Sequence, residues 1–215
     1  MPSSSKLVYV VAVDMEPDWE DEANRWYNDE HIPALLSVPG YIGARRYVAV
    51  EGEPKYLNWY EIDSMDTFRS EARHKAVDTP WTARVRPHTK TRLTIYEQIF
   101  PDAGPLKGAA WSGDTSCEGG LLVNRQDADP AMEEDFNNWY HQEHLPALSQ
   151  VPGCIAVHRF RAVEGAPKYM AVYHLTEPAV QASDAWKKAI DTPWSARVRP
   201  AFQNRWRTVY KPLQS

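Results

Sequence analysis

The stretch Trp26-Tyr27-Asn28-Asp29-Glu30-His31-Ile32-Pro33-Ala34-Leu35 occurs again as Trp139-Tyr140-His141-Gln142-Glu143-His144-Leu145-Pro146-Ala147-Leu148. A later run, Asp78-Thr79-Pro80-Trp81, returns as Asp191-Thr192-Pro193-Trp194. Both pairs are offset by 113 residues (26 to 139, 78 to 191), so two copies stay in register through most of the chain. Roughly half of the positions aligned between Val8 and Pro87 are identical, far more than shared composition produces. The chain reads as a tandem duplication. Two copies are too few for the continuous core of a solenoid, so each must fold nearly alone or close on its sister.

Working outward from the motif, each copy opens on an apolar run, Leu7 to Val13 and Gly120 to Val123, that reads as a strand. A helix is expected from about Pro17 and Pro130. Trp19, Ala23, Trp26 and Tyr27, mirrored by Met132, Phe136, Trp139 and Tyr140, recur on it at three- and four-residue spacing and form one apolar stripe. The stripe runs on to Glu30-His31 and Glu143-His144. Pro33 and Pro146 should then disturb the last turn, since proline has no N–H to donate. Two strands follow, Tyr41 to Val50 and Lys55 to Ile62, repeated as Cys154 to Val163 and Lys168 to Leu175, and the Gly-containing loop between them predicts a hairpin. A second helix is predicted over Met65 to Val77 and Pro178 to Ile190. Thr79 caps a further short helix with Pro80 in its first turn, and a last strand covers Arg92 to Ile99 and Arg205 to Lys211.

The order βαββαβ is that of a ferredoxin-like unit, which covers one sheet face with helices and leaves the other open. A tandem copy supplies the missing partner. The predicted fold is α+β, with two ferredoxin-like units packed sheet to sheet: residues 1–100, a Gly-, Pro- and Ser-rich linker over 101–119, and residues 120–215.

A net charge of −5 with both signs interspersed gives no basic stripe, which argues against a nucleic-acid partner. No run reaches the roughly 18 apolar residues of a membrane span, and the first residues lack a signal-peptide pattern, so no membrane partner and a cytoplasmic location are expected. Cys117 and Cys154 occupy unrelated repeat positions, which speaks against a disulfide or a zinc site. No Gly-rich phosphate loop and no G-x-S-x-G elbow is present.

The motif Trp-Tyr-x-x-Glu-His-x-Pro-Ala-Leu at Trp26 to Leu35 and Trp139 to Leu148 resembles the aromatic-then-His-x-Pro signature of EthD-like proteins, in the dimeric α+β barrel superfamily. The aromatic pair stands here as Trp then Tyr. The resemblance covers both halves apart from the linker, and it implies an intramolecular dimeric α+β barrel, a pseudo-dimer within one chain, with up to two ligand pockets between helices and sheet. Further homo-oligomerisation is left open. Relatives in that superfamily include cofactor-independent monooxygenases, isomerases, cyclases and dehydratases, and haem-binding branches.

His31 and His144 are the leading catalytic candidates, because a stripe that should be apolar delivers an imidazole, the usual proton shuttle near neutral pH. Glu30 and Glu143 stand beside them as orienting carboxylates. Tyr27 and Tyr140 lie one turn back on the same face. Trp26, Trp139, Tyr60 and Tyr173 join them as substrate-binding candidates, with Tyr56 and Tyr60 on one strand face by the two-residue period. Arg84 and Arg197, each near a tryptophan, can clamp a carboxylate, or else pair with acids such as Glu30 and Glu143. The Glu-His pair has its own structural reading, as a tie between helix end and sheet.

The copies differ where Asn28, Arg45 and Glu61 become His141, His158 and His174, and a pocket holding these three histidines is expected to serve differently from its sister. His141 and His144 have a chelating spacing but no fixed third ligand, so no metal site is expected and His141 is placed at the surface. The reading as a whole is a small-molecule enzyme without organic cofactor, doing acid/base chemistry of isomerase, lyase or cyclase type on a hydrophobic, aromatic oxygenated ligand. One alternative is a haem-binding or oxygen-using monooxygenase with His31, His74 or His144 as axial ligand. The other is a non-catalytic ligand-binding accessory protein.

Overall fold

The computed structural model describes residues 7–213. In chain order the first half contains β1 (Leu7–Met15), α1 (Glu20–Trp26), α2 (Ile32–Leu36), β2 (Tyr41–Glu51), β3 (Tyr56–Ile62), α3 (Met65–Arg69), α4 (Glu71–Val77), α5 (Pro80–Val85) and β4 (Thr89–Phe100). A two-residue strand, β5 (Leu106–Lys107), lies inside the stretch read as linker. The second half contains β6 (Gly120–Ala128), α6 (Glu133–Trp139), α7 (Leu145–Ser149), β7 (Cys154–Glu164), β8 (Tyr169–Leu175), α8 (Asp184–Ile190), α9 (Pro193–Val198) and β9 (Phe202–Pro212).

The strands run in the order β4-β1-β3-β2-β9-β6-β8-β7, and β7 returns to β4. The result is a closed eight-stranded antiparallel barrel. Two seams join the halves edge to edge: Tyr47 to Ala49 of β2 pair with Pro212 to Tyr210 of β9, and Tyr96 to Gln98 of β4 pair with Ala162 to Phe160 of β7. The expected packing of sheet on sheet is thus achieved by closure, which leaves the eight barrel strands few unpaired edges. Val8, Val10, Leu57, Trp59, Leu121, Val123, Phe160, Met170 and Val172 fill the interior. The alternate residues, Tyr9, Tyr60 and Ile62 among them, face the helices outside. Burial on both faces explains why Val8 to Val13 reads as one continuous apolar run.

Local departures from the predicted elements have local causes. The expected single helix over Met65 to Val77 is two, because Ser70 is extended (φ −65°, ψ 148°) and its hydroxyl caps α4 at Arg73 N–H. Ser183 caps α8 in the same way, leaving only a 3₁₀ turn at Pro178–Ala182. Pro33 and Pro146 disturb the helix, but the irregularity lies in a π-helical turn just before each, Tyr27–His31 and Tyr140–His144, and the helical backbone runs on through the proline into α2 and α7. Gly153, at φ +90°, then turns the chain into β7, where a Cβ would lie 2.6 Å from Val180 Cγ2.

Candidate functional site

The π turn shapes the site. Ile32 N–H donates to Tyr27 O, and Leu145 N–H to Tyr140 O, five residues back rather than four. Wider turns bring residues i and i+5 onto one face, where an α-helix would separate them. So the His31 ring lies over Trp26, with centroids 4.3 Å apart, and meets Tyr27 edge-on at 5.4 Å. His144 repeats this against Trp139 (4.1 Å) and Tyr140 (5.2 Å). From the sheet, Tyr60 and Tyr173 present their rings edge-on to the two histidines. Histidine, tryptophan and both tyrosines therefore converge in each half.

The glutamates do not join them. Glu30 Oε1 accepts from Thr79 Oγ1 at 2.5 Å, and Glu143 from Thr192 at 2.6 Å, so the expected orientation of the imidazoles by these carboxylates is corrected. Thr79 and Thr192 in turn reach Thr82 and Ser195, which accept from Trp26 Nε1 and Trp139 Nε1. The helix is thereby tied to the repeated Asp-Thr-Pro-Trp run. Arg84 and Arg197 lie outside as well, pairing with Glu22 and with Asp135 (2.8 Å) rather than with Glu30 and Glu143.

Other arginines, missed in the sequence, take their place. Arg46 lies 4.4 Å over the Tyr27 ring and donates to Asn58, Asn28 and Asn24, while Arg159 lies 4.2 Å over Tyr140 and donates to His141 and Asn137. Asn58 corresponds to Ala171 by the 113-residue offset, which accounts for the unpartnered Nε of Arg159. His141 is not a surface residue as predicted: it is half-buried, stacked on Phe100 at 4.8 Å. The signal for Arg46 and Arg159 was available, since both fall on the same strand face as the tyrosine-bearing helix and recur at the offset of 113.

The two histidines border cavities of unequal size. His31 lines one of about 190 Å³ with Tyr9, Trp26, Tyr27, Tyr60, Arg73 and Arg86. His144 lines one of about 110 Å³ with Trp139, Tyr140, Trp186, Arg199 and Arg205. Position 73 becomes 186 in the second copy, so the arginine that borders the first cavity is replaced by a tryptophan packed on Tyr173 at 5.3 Å. Burial first, then the nearby arginines, holds both imidazoles down to about 3. The rings are neutral at pH 7, and Nδ1 of each is buried without a partner, as are the hydroxyls of Tyr60 and Tyr173. Desolvation also raises Tyr27 to about 12 and Tyr60 well above its ordinary value, so these phenols stay protonated.

A haem group does not fit these residues. Both cavities fall below the roughly 300–1,000 Å³ of pockets that take larger ligands, and His74 is exposed on α4. The larger one exceeds the roughly 150 Å³ of an apolar cavity that holds benzene. Among the described residues no helix is long and apolar enough to cross a membrane.

No protein-family model matches the chain, and no curated relative does. Solved structures do match in fold. An anthrone oxidase-like protein superposes with a TM-score of 0.67 at 13% identity, over 100% of this chain and 94% of that one. A candidate monooxygenase of Fusobacterium nucleatum gives 0.63 at 10% identity, over 97% and 92%. A chlorite dismutase of Candidatus Nitrospira defluvii in complex with imidazole gives 0.62 at 10% identity, over 98% and 93%. What is shared at such identities is the dimeric α+β barrel fold.

Proposed function

We propose that the protein is a small-molecule enzyme whose site is the His31 cavity, acting by proton transfer on an oxygenated aromatic compound without an organic cofactor. The observation that carries this reading is the pairing of two buried, unpartnered polar atoms, His31 Nδ1 and the Tyr60 hydroxyl, on one aromatic-walled cavity bordered by Arg73 and Arg86. Unsatisfied buried polar groups are costly and call for a partner, and a bound ligand is one. Arg73 and Arg86 also depress the basicity of His31. A phenolate or carboxylate placed against them offsets that effect, so an anionic substrate restores the imidazole as a base when it binds. Tyr60, held protonated, donates to a substrate oxygen, and Trp26 and Tyr27 supply the aromatic walls. Isomerase, lyase and cyclase chemistry all use these parts, and the EthD-like relationship suggested by the motif agrees with them. In this reading residues 1–100 and 120–215 are two ferredoxin-like units joined by 101–119. The second unit, its cavity narrowed by Trp186, supports the barrel rather than turnover, and the protein works in the cytoplasm.

The test is a panel of hydroxylated aromatic acids, assayed for turnover with and without oxygen and for quenching of tryptophan fluorescence. His31→Asn is expected to lower kcat by roughly 10²–10⁴-fold, the usual worth of a general base, and Tyr60→Phe to weaken binding. His144→Asn is expected to leave kcat unchanged. Turnover that survives His31→Asn in a folded protein rules the assignment out. Binding without turnover of any panel member favours the accessory reading, and turnover only with oxygen favours a monooxygenase.

A further inference from the structure

The three histidines that distinguish the second copy do not share one pocket. Side chains alternate along a strand, so His158 and His174 face the barrel interior, while His141 lies outside the barrel in the π turn Tyr140–His144, against Phe100 and Arg159. At one end of the barrel they line a chamber of about 200 Å³ together with Arg45, Trp59, Glu61 and Gln98. By the 113-residue offset, Arg45 corresponds to His158 and Glu61 to His174. The chamber is thus built from the same two positions of both copies, with an arginine and a glutamate from one half and two histidines from the other. His158 is paired with Val172, and His174 with Ala156, which makes them diagonal neighbours on adjacent strands, with ring centroids 5.4 Å apart.

Their hydrogen bonds engage Nδ1 of both rings. The amide nitrogen of Gln98 donates to Pro101 O and Gly104 O, each at 2.7 Å, which uses both of its protons. The amide oxygen therefore faces His158 Nδ1, 3.0 Å away, and that nitrogen carries the ring proton. His174 Nδ1 donates to the Glu118 carboxylate, an acceptor only. With Nδ1 engaged in both rings, Nε2 is the nitrogen left without a hydrogen-bond partner among the described residues. Arg45, bonded to Thr115, faces two carboxylates, Glu61 and Glu118, so the formal charge around the chamber favours a cation.

Imidazoles whose Nδ1–H is anchored by a carboxylate or a carbonyl, with Nε2 free, are arranged as metal ligands are, and imidazole suits Zn²⁺, Cu²⁺ and Ni²⁺. We propose that His158 and His174 bind a late first-row divalent metal ion through Nε2, with water completing its shell and Gln98 and Glu118 as the outer partners. Among the described residues no three His, Cys, Asp or Glu side chains come together as a metal cluster, so the protein ligands are these two. The inference is independent of the His31 cavity, on the other face of the sheet.

The experiment titrates the full-length, chelator-stripped protein with Cu²⁺ and with Zn²⁺ against a chromophoric competitor, and records the EPR spectrum of the Cu²⁺ form. One equivalent per chain is expected, tighter for Cu²⁺ than for Zn²⁺, with coupling to two imidazole nitrogens. His158→Gln and His174→Gln should each weaken binding at least about tenfold, and Gln98→Leu by roughly 10–100-fold, the usual worth of an outer partner. His88→Gln, at the surface beside Glu16, should change nothing. Unchanged binding in folded His158 and His174 variants overturns the proposal, as does absence of binding to the unmodified chain. Should a variant fail to fold, the EPR spectrum of the unmodified chain decides, and fewer than two coupled imidazoles sinks the site.

Discussion

His31, His144 and His158 are carried into the fold as neutral rings, each held near 3 by burial and neighbouring cations or imidazole. An unfolded histidine titrates near 6.5, so between about pH 6.5 and 3 the unfolded chain binds protons that the folded chain refuses. More protons on the unfolded state means that stability rises with pH, and it is lost as pH falls through this window. Each such ring contributes a slope of up to about 1.4 kcal/mol per pH unit. Urea unfolding from pH 7 to 4.5 should therefore show a steep loss of stability, and the double variant His31→Asn, His144→Asn should flatten it by up to about 3 kcal/mol per unit. An unchanged slope would mean that these rings accept protons in the native state. At this scale the sequence was informative about what the helical and strand periods bring together, namely Tyr27 with His31 on the helix and Tyr60 on the strand face opposite them. It misplaced Glu30, because adjacency in the chain is not adjacency in a helix, and a threonine 49 residues away offers the carboxylate a better partner.

The most consequential element is the π turn, and its anchor is Thr79. One hydroxyl caps α5 at Thr82 N–H, donates to Glu30 and contacts Thr82 Oγ1, the acceptor for Trp26. Thr79→Val removes the cap, worth about 1 kcal/mol, and strips the partner from Glu30. A total loss of about 1–2 kcal/mol is expected, which for a chain of this size lowers Tm by about 2–8 °C. Thr79→Ser keeps every bond and should stay within a degree or two of the parent. Equal losses in both would show that the methyl packing matters and the hydroxyl does not. The cap itself is legible in Asp-Thr-Pro-Trp, since threonine before proline is a helix start. The π turn is not, because i→i+5 and i→i+4 patterns share the same apolar residues, and only the ring contacts of Trp26 with His31 and of Trp139 with His144 reveal which one wins. Ser70 and Ser183 are a related case: a serine inside a plausible helix is silent until its hydroxyl takes the backbone N–H three residues on.

For the molecule as a whole, duplication pointed to two halves that cover each other's open sheet faces, and the expectation of a barrel came from the motif's resemblance rather than from the hydrophobic pattern. A face-to-face sandwich and a closed barrel bury the same alternate residues, so the hydrophobic pattern does not separate them. The seams do. Tyr47 to Ala49 with β9, and Tyr96 to Gln98 with β7, place each half's two outer strands in hydrogen bonds with the other half. Either half alone would therefore present two unpaired edges and the apolar inner face bearing Val8, Val10, Leu57 and Trp59, or Leu121, Val123, Phe160 and Met170. Cutting the chain in the loop before Pro105 tests this. Residues 1–103 and 104–215, expressed apart, are expected to self-associate or aggregate. Mixed after refolding, they should elute as a 1:1 complex with the near-ultraviolet circular dichroism of the intact chain, because Trp59 and Phe160 again meet edge-on at 5.5 Å across the barrel. Trp59→Ala in the first piece removes the larger ring of that contact, at a cost of about 3–5 kcal/mol for a buried aromatic, and should weaken reassembly by more than a hundredfold. Two monodisperse, folded monomers that ignore each other would mean that the halves are complete without the closure that the seams describe.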